Sequence, residues 1–126
     1  MIAVQHIFER KIFNFDIDLR PTFQKFLRID QIVCEGEEFN LLSKDPAVNS
    51  IVPIAHIFPE NSQQIKSILK LANQYDLKIW TYSTGKNWGY LNTAGSEKSI
   101  VLNLNRMNKI HLVDENLAYA VIEPGV

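Results

Sequence analysis

Apolar and polar residues alternate from Phe13 to Leu19, where Phe13, Phe15, Ile17 and Leu19 are separated by Asn14, Asp16 and Asp18. That two-residue period marks a half-buried strand or an extended arm. Pro21 then stands where a helix can start, and Phe23, Phe26 and Leu27 fall on one side of a short helical turn ending before Asp30–Val33. The clearest unit begins at Ile54-Ala55-His56-Ile57-Phe58, a short apolar strand ended by Pro59. Asn61 suits a helix N-cap, with Gln64 three residues on to complete a capping box. A helix from Ser62 to about Tyr75 sets Ile65, Ile68, Leu69 and Ala72 on one face, with Gln63, Lys66, Lys70 and Gln74 on the others. Leu77–Tyr82 follows as a second strand after a very short connection. Strand, helix and strand together predict a parallel, right-handed crossover. Ser99–Leu104 reads as a third strand and Leu117–Ile122 as a fourth, with a turn at Asn105–Lys109 and a short extended piece at His111–Val113.

The second strand breaks into Ser83-Thr84-Gly85-Lys86-Asn87-Trp88-Gly89-Tyr90, a loop of small residues with two glycines and one lysine. Glycine allows φ above zero and close approach of the backbone to a ligand. Ser83, Thr84 and the loop amides are donors and Lys86 is a positive charge, a combination suited to a diphosphate. The spacing Gly-x-Asn-x-Gly fits neither the Walker loop nor the Rossmann fingerprint, both of which open directly into a helix. Glycine-rich strand exits are also commonly plain turns, so the loop by itself leaves both readings open. Its position is informative, because a loop at the carboxyl end of a sheet strand lies where open α/β sheets bind ligands.

Composition narrows the picture without adding chemistry. The 126 residues suffice for one core, and a net charge of −1 with both signs interspersed gives no footprint for nucleic acid or for an anionic membrane. Met1–His6 has no basic start and no long apolar core, which sets the expectation of a cytoplasmic protein. The one cysteine, Cys34, has no internal disulfide partner, and no Cys or His lies at metal-ligand spacing from it, so no metal is expected. His6, His56 and His111 are the obvious acid–base groups, but none has a carboxylate or nucleophile nearby in the sequence. His56, among Ala55, Ile57 and Phe58, reads as a structural histidine. Glu35–Glu38 and Asp114-Glu115 read as solvated charge, the second as a polar turn.

Four pieces, in order, carry a family resemblance: Ile57-Phe58-Pro59-Glu60-Asn61-Ser62 with Ile65, Leu69 and Ala72-Asn73; Ser83 to Tyr90; Ile100 to Ile110; and Ala120-Val121-Ile122-Glu123-Pro124-Gly125-Val126. From Val52 to Val126 the chain resembles the FAD-binding domain of the vanillyl-alcohol oxidase and p-cresol methylhydroxylase (PCMH) flavoproteins. Residues from about Phe23 to Asp45 resemble, more loosely, the helical lead-in of that family, while Met1–Arg20 matches nothing in it. The resemblance implies an α+β fold: an α/β-type lobe with a short β-α-β crossover and additional strands, the first subdomain of a PCMH-type FAD-binding domain. Residues 1–50 would form an amino-terminal arm and lead-in, and 51–126 the first lobe, incomplete at its carboxyl end.

The same resemblance implies that Ser83, Thr84, Gly85, Lys86, Asn87, Gly89 and Tyr90 contact FAD. The amides of Thr84, Gly85, Asn87 and Gly89 would face the diphosphate. Trp88 and Tyr90 would cover the adenosine side or pack beneath the loop. Where many relatives carry a flavin-linking histidine, this chain has Gly85-Lys86-Asn87, so bound FAD is expected to be noncovalent. Substrate-binding residues of the family follow the point matching Val126, and no catalytic residue is assigned here. The expected function is to hold the ADP end of FAD as the amino-terminal part of an oxidoreductase acting on an alcohol or alkylphenol. Besides FAD, the expected partner is a second polypeptide carrying the remaining lobe, or further copies of the chain in a homo-oligomer. The alternatives are a truncated lobe serving as an interaction or dimerisation module, and a phosphate or nucleotide site for another ligand.

Overall fold

The computed structural model describes residues 19–43, 52–85 and 98–126. The alternating run from Phe13 to Asp18 lies outside them. Its last apolar member, Leu19, instead opens a short helix, α1 (Leu19–Phe23), with Pro21 inside the first turn where its missing N–H costs nothing. Leu19, Phe23 and Leu27 turn into the core. A 3-10 turn, Ile29–Gln31, leads to β1 (Ile32–Val33) and then to α2 (Gly36–Leu42). Glu37 and Glu38 occupy the first turn of α2, where carboxylates oppose the helix dipole favourably.

The central unit follows the expected order: β2 (Ala55–Ile57), α3 (Ser62–Gln74), β3 (Lys78–Tyr82) and β4 (Ser99–Asn103). Asn61 caps α3 by accepting the Gln64 N–H at 2.9 Å. The reciprocal half of the capping box is shifted by one residue, since the side-chain oxygen of Gln64, Oε1, accepts the Glu60 N–H at 2.7 Å. The Gln64 amide is drawn that way because it also pairs with the amide of Gln31, a fully buried side chain. At its other end α3 closes with Asp76 at φ +50° and the Leu77 N–H on the Ala72 carbonyl at 2.8 Å, the left-handed cap in which glycine is commoner. The buried stripe of α3 is Ile68, Leu71 and Ala72, with Tyr75 half-buried below them. Leu69, placed on the inner face by its sequence spacing, is 49% exposed and Leu71 takes its place. The i, i+3, i+4, i+7 series runs from Ile68, and Leu69 lies about 100° away from it.

The sheet order is β1-β2-β4-β3, with β1 antiparallel and the other three strands parallel. The strand–helix–strand unit therefore spans a gap, and β4 fills it, pairing Ile57 with Leu102 on one side and Tyr82 with Asn103 on the other. The physical reason is burial. Every residue of β4 is buried, as a central strand covered on both faces requires, whereas β3 carries exposed Lys78 and Thr81 and suits an edge. Leu19, Phe23, Leu27 and Ile32 share one core with Ile57, Ile68, Leu71, Ile100 and Leu102.

The expected fourth strand does not join this sheet. β5 (Ile110–Asp114) and β6 (Tyr119–Ile122) pair with each other as an antiparallel hairpin. Asp114 closes its turn by accepting the N–H groups of Asn116 and Leu117 at 3.0 and 2.9 Å, the polar role expected of Asp114-Glu115. Ile110, Val113, Leu117 and Ile122 of the hairpin are each more than half exposed.

Candidate functional site

Because β2, β3 and β4 are parallel, their carboxyl ends share one edge of the sheet. Phe58–Asn61 leaves β2 there, Ser83–Gly85 leaves β3, and the 3-10 turn Leu104–Arg106 leaves β4. The carboxyl-terminal segment joins the same edge. The Gly125 N–H donates to the Met107 carbonyl at 2.7 Å, and Glu123 and Lys109 exchange two hydrogen bonds of 2.9 Å. A Cβ on Gly125 would stand 2.5 Å from the Leu104 carbonyl oxygen, 2.7 Å from that of Met107 and 2.8 Å from that of Asn105. Only glycine fits against this ring of backbone oxygens. Four segments dispersed between residues 57 and 126 thus meet at one rim.

Of the seven residues expected to contact FAD, Ser83, Thr84 and Gly85 lie on this rim, Ser83 exposed and the other two half-buried. Lys86, Asn87, Gly89 and Tyr90 lie outside the described residues, as does Trp88. Gly85 has φ +71°, the left-handed conformation that admits glycine without cost. Among the described residues, a Cβ there would meet only the Tyr82 ring carbons, at an ordinary 3.7 Å. The Tyr82 hydroxyl accepts a hydrogen bond from Asn103 Nδ2 at 3.1 Å. Burial pushes the Tyr82 pKa up, with the Asn103 hydrogen bond acting the other way, so the phenol stays neutral at physiological pH. Asn103 Oδ1 accepts the Asn105 N–H at 3.1 Å and so opens the turn after β4.

Beside the rim lies a charge cluster that sequence spacing does not reveal. Arg106 donates to Asp30 Oδ2 at 2.7 Å and to the Asp30 carbonyl at 2.8 Å, with its guanidinium 5.3 Å from the centre of the Phe58 ring. Arg28 donates to both Glu60 carboxylate oxygens and to Asp30. Arg106, with Arg28 after it, holds the Asp30 carboxyl below its usual range, and Arg28 does the same for Glu60. With Asn108 and Lys109 these groups line an open cavity of about 560 Å³. The carboxylates and guanidiniums are matched to one another, so the cluster ties the segment before β1 to the ends of β2 and β4. Asp30 and Arg106 are 76 residues apart, too far for any local pattern to pair them.

Among the described residues, the remaining reactive side chains are structural or peripheral. His56 is fully buried on β2, shares a 3.1 Å hydrogen bond with Ser43 Oγ and packs against the edge of Phe39. Burial pushes its pKa down to about 4, so the imidazole is neutral, as befits the structural histidine read from the sequence. His111 Nε2 lies 3.6 Å from Glu123 Oε1, a pairing across the hairpin that the sequence does not show. Cys34 Sγ accepts from the Arg20 guanidinium at 2.7 and 3.3 Å. Among the described residues no cluster of His, Cys, Asp or Glu could hold a metal ion, and no helix is long and apolar enough to cross a membrane.

The family model described as an FAD binding domain matches residues 53–126 of this chain. The flavoprotein subunit of 4-cresol dehydrogenase (hydroxylating) from Pseudomonas putida is 32% identical, over 82% of this chain and 21% of that protein. The 1'-carboxy-chondrochloren decarboxylase of Chondromyces crocatus is 41% identical over 57% of this chain and 14% of its own length. A crystal structure of p-cresol methylhydroxylase with substrate bound superposes with a TM-score of 0.76 at 30% identity, covering 84% of this chain and 21% of that one. The chain therefore spans about a fifth, or less, of the length of these relatives.

Proposed function

The chain belongs to the FAD-binding domain family of the FAD-linked oxidoreductases, and from that premise we propose that its rim holds the diphosphate and ADP end of FAD, noncovalently, through the loop from Ser83 to Tyr90. The observation that carries this reading is the left-handed bend at Gly85, set at the carboxyl edge of parallel strands beside the turn that Gly125 closes. A bend of that kind turns successive amides to one side, where they can face an anion. Ser83 and Thr84 add hydroxyl donors at the same corner. When bound, FAD supplies a hydride acceptor for an alcohol or alkylphenol-type substrate. The residues of this chain do not touch that chemistry. They bind and orient the cofactor's nucleotide end, and the substrate surface comes from the part of such a protein that this chain does not span.

A substitution at Gly85 tests the site. Gly85→Val places a β-branched residue at φ +71°, where strain of about 1–2 kcal/mol must be relieved by unbending the loop. FAD affinity, followed by quenching of flavin fluorescence, is expected to fall about tenfold or more. Gly85→Ala should lose less, and thermal unfolding of both variants should stay close to that of the parent chain, because the bend lies outside the core. Unchanged affinity in Gly85→Val would move the nucleotide site elsewhere.

The exposed hairpin favours a second reading. Leu112, Val113, Leu117, Tyr119, Val121 and Ile122 leave apolar surface on both β5 and β6, more than scattered surface residues account for. In this reading the lobe acts as an interaction module that associates through the hairpin and leaves flavin unbound. The two readings separate in a flavin titration, since only the first predicts saturable quenching.

A further inference from the structure

We infer that Tyr82 and Asn103 form a positioning pair that sets the glycine bend against the turn after β4, and so fixes where the nucleotide's phosphates can sit; this inference rests on the FAD reading of the rim. Tyr82 and Asn103 are the last residues of neighbouring strands and face each other in register. The Tyr82 ring flanks the Gly85 bend, 3.7 Å from where a Cβ on Gly85 would stand, and its hydroxyl reaches across to Asn103 Nδ2 at 3.1 Å. Asn103 is 6% exposed and its other amide atom, Oδ1, holds the Asn105 N–H at 3.1 Å. The turn thus opened presents the three carbonyl oxygens that surround Gly125. One continuous line of contacts runs from Gly85 through Tyr82, Asn103 and Asn105 to Gly125. It joins three of the segments that converge on the rim.

The hydroxyl is what makes this more than packing. A phenyl ring would fill the same space under Gly85, yet it would leave Asn103 Nδ2 without its partner and free the bend to move relative to the turn. A ligand gripped by preorganised amides loses affinity when the amides are no longer held at fixed separation, even if the fold is intact. Asn103 is not proposed to touch the ligand, and Tyr82 acts through the loop.

The test measures ADP competition against FAD quenching for the parent chain, Tyr82→Phe, Asn103→Ala and the double variant, with thermal unfolding of each alongside. Tyr82→Phe is expected to weaken ADP and FAD by the same factor, about fivefold, and to lower the unfolding temperature only modestly, leaving the chain fully folded in the assay. The double variant should lose no more affinity than Asn103→Ala alone, because both changes break one interaction. Riboflavin, which lacks the diphosphate, should show no difference between parent and Tyr82→Phe. Parent-like ADP affinity in Tyr82→Phe would overturn the positioning pair and leave the FAD reading standing. Strictly additive losses would overturn the coupling between the two residues. Failure of the parent chain to bind ADP or FAD would overturn the FAD reading, and the positioning pair with it.

Discussion

Gly125→Ala is expected to release the carboxyl-terminal segment from the rim and to destabilise the chain by about 3 kcal/mol, near the upper end for overpacking against atoms that cannot rotate away. The obstacle is backbone. An alanine Cβ would sit 2.5 to 2.8 Å from the carbonyl oxygens of Leu104, Asn105 and Met107, closer than real Cβ contacts come. Those carbonyls belong to a 3-10 turn whose start is held by Asn103 and whose end is closed by the Met107 N–H on the Leu104 carbonyl. The turn cannot open without losing both bonds, so the segment Glu123–Val126 must lift instead. With it go the Gly125 bond to Met107 and the paired bonds between Glu123 and Lys109. Amide hydrogen exchange is the direct readout. Protection at position 125 and at Lys109 should be lost in the variant while the amides of β4 keep theirs. Flavin affinity should fall in parallel, since the turn is one wall of the proposed site. Retained protection at Lys109 would show that the contact is softer than the geometry indicates.

The second large effect is a dependence of stability on pH set by His56. Its imidazole is completely buried, its one hydrogen-bond partner among the described residues is Ser43, and the Phe39 edge beside it offers no charge. Burial lowers the folded-state pKa from 6.5 to about 4. The unfolded chain therefore takes up a proton below pH 6.5 that the folded chain refuses until about pH 4. The stabilisation is complete above pH 6.5 and is lost progressively as the pH falls through that window, by about 3 kcal/mol in total. The Asp30 and Glu60 carboxylates, with pKa values lowered by Arg106 and Arg28, contribute in the same direction but further down. Their part is present above the ordinary carboxylate range and is lost as the pH falls through their folded values. Urea unfolding at pH 7 and pH 5 separates the two. The parent chain should lose most of the His56 contribution between these points. His56→Gln should be less stable than the parent at pH 7, with a midpoint that hardly moves between pH 7 and pH 5. A parent midpoint equally indifferent to pH in that interval would contradict a neutral, buried imidazole.

Local signals in the sequence carried the elements, and non-local packing decided their arrangement. Asn61, Pro59 and the spacing of Ile68 and Ala72 are enough to place α3 almost to the residue, because capping and amphipathic period act over a few positions. The position of β4 between β2 and β3 is not legible in the same way. Neighbours in sequence are expected to pair, and only the burial of every β4 residue reveals that this strand takes the centre. The rim was legible in outline: the glycine at 85 marks a left-handed bend, and the matched family region from 53 to 126 contains all four segments that meet there. Its supports were not. The pairing of Gln31 with Gln64, of Asp30 with Arg106 and of Tyr82 with Asn103 joins residues 21 to 76 positions apart, and no short motif encodes such contacts. Gly125 is a related case. In the sequence it stands only as part of the family-like segment Ala120–Val126, whereas the structure sets it against three backbone carbonyl oxygens.

On the reading proposed above, the rim formed by the strand ends of β2, β3 and β4 binds the nucleotide half of FAD. A titration of FAD with the purified chain, read by flavin fluorescence and then challenged with ADP, tests it most directly. Saturable quenching that ADP reverses is the result this account predicts. No quenching at high protein concentration, or quenching that ADP leaves untouched, would contradict it.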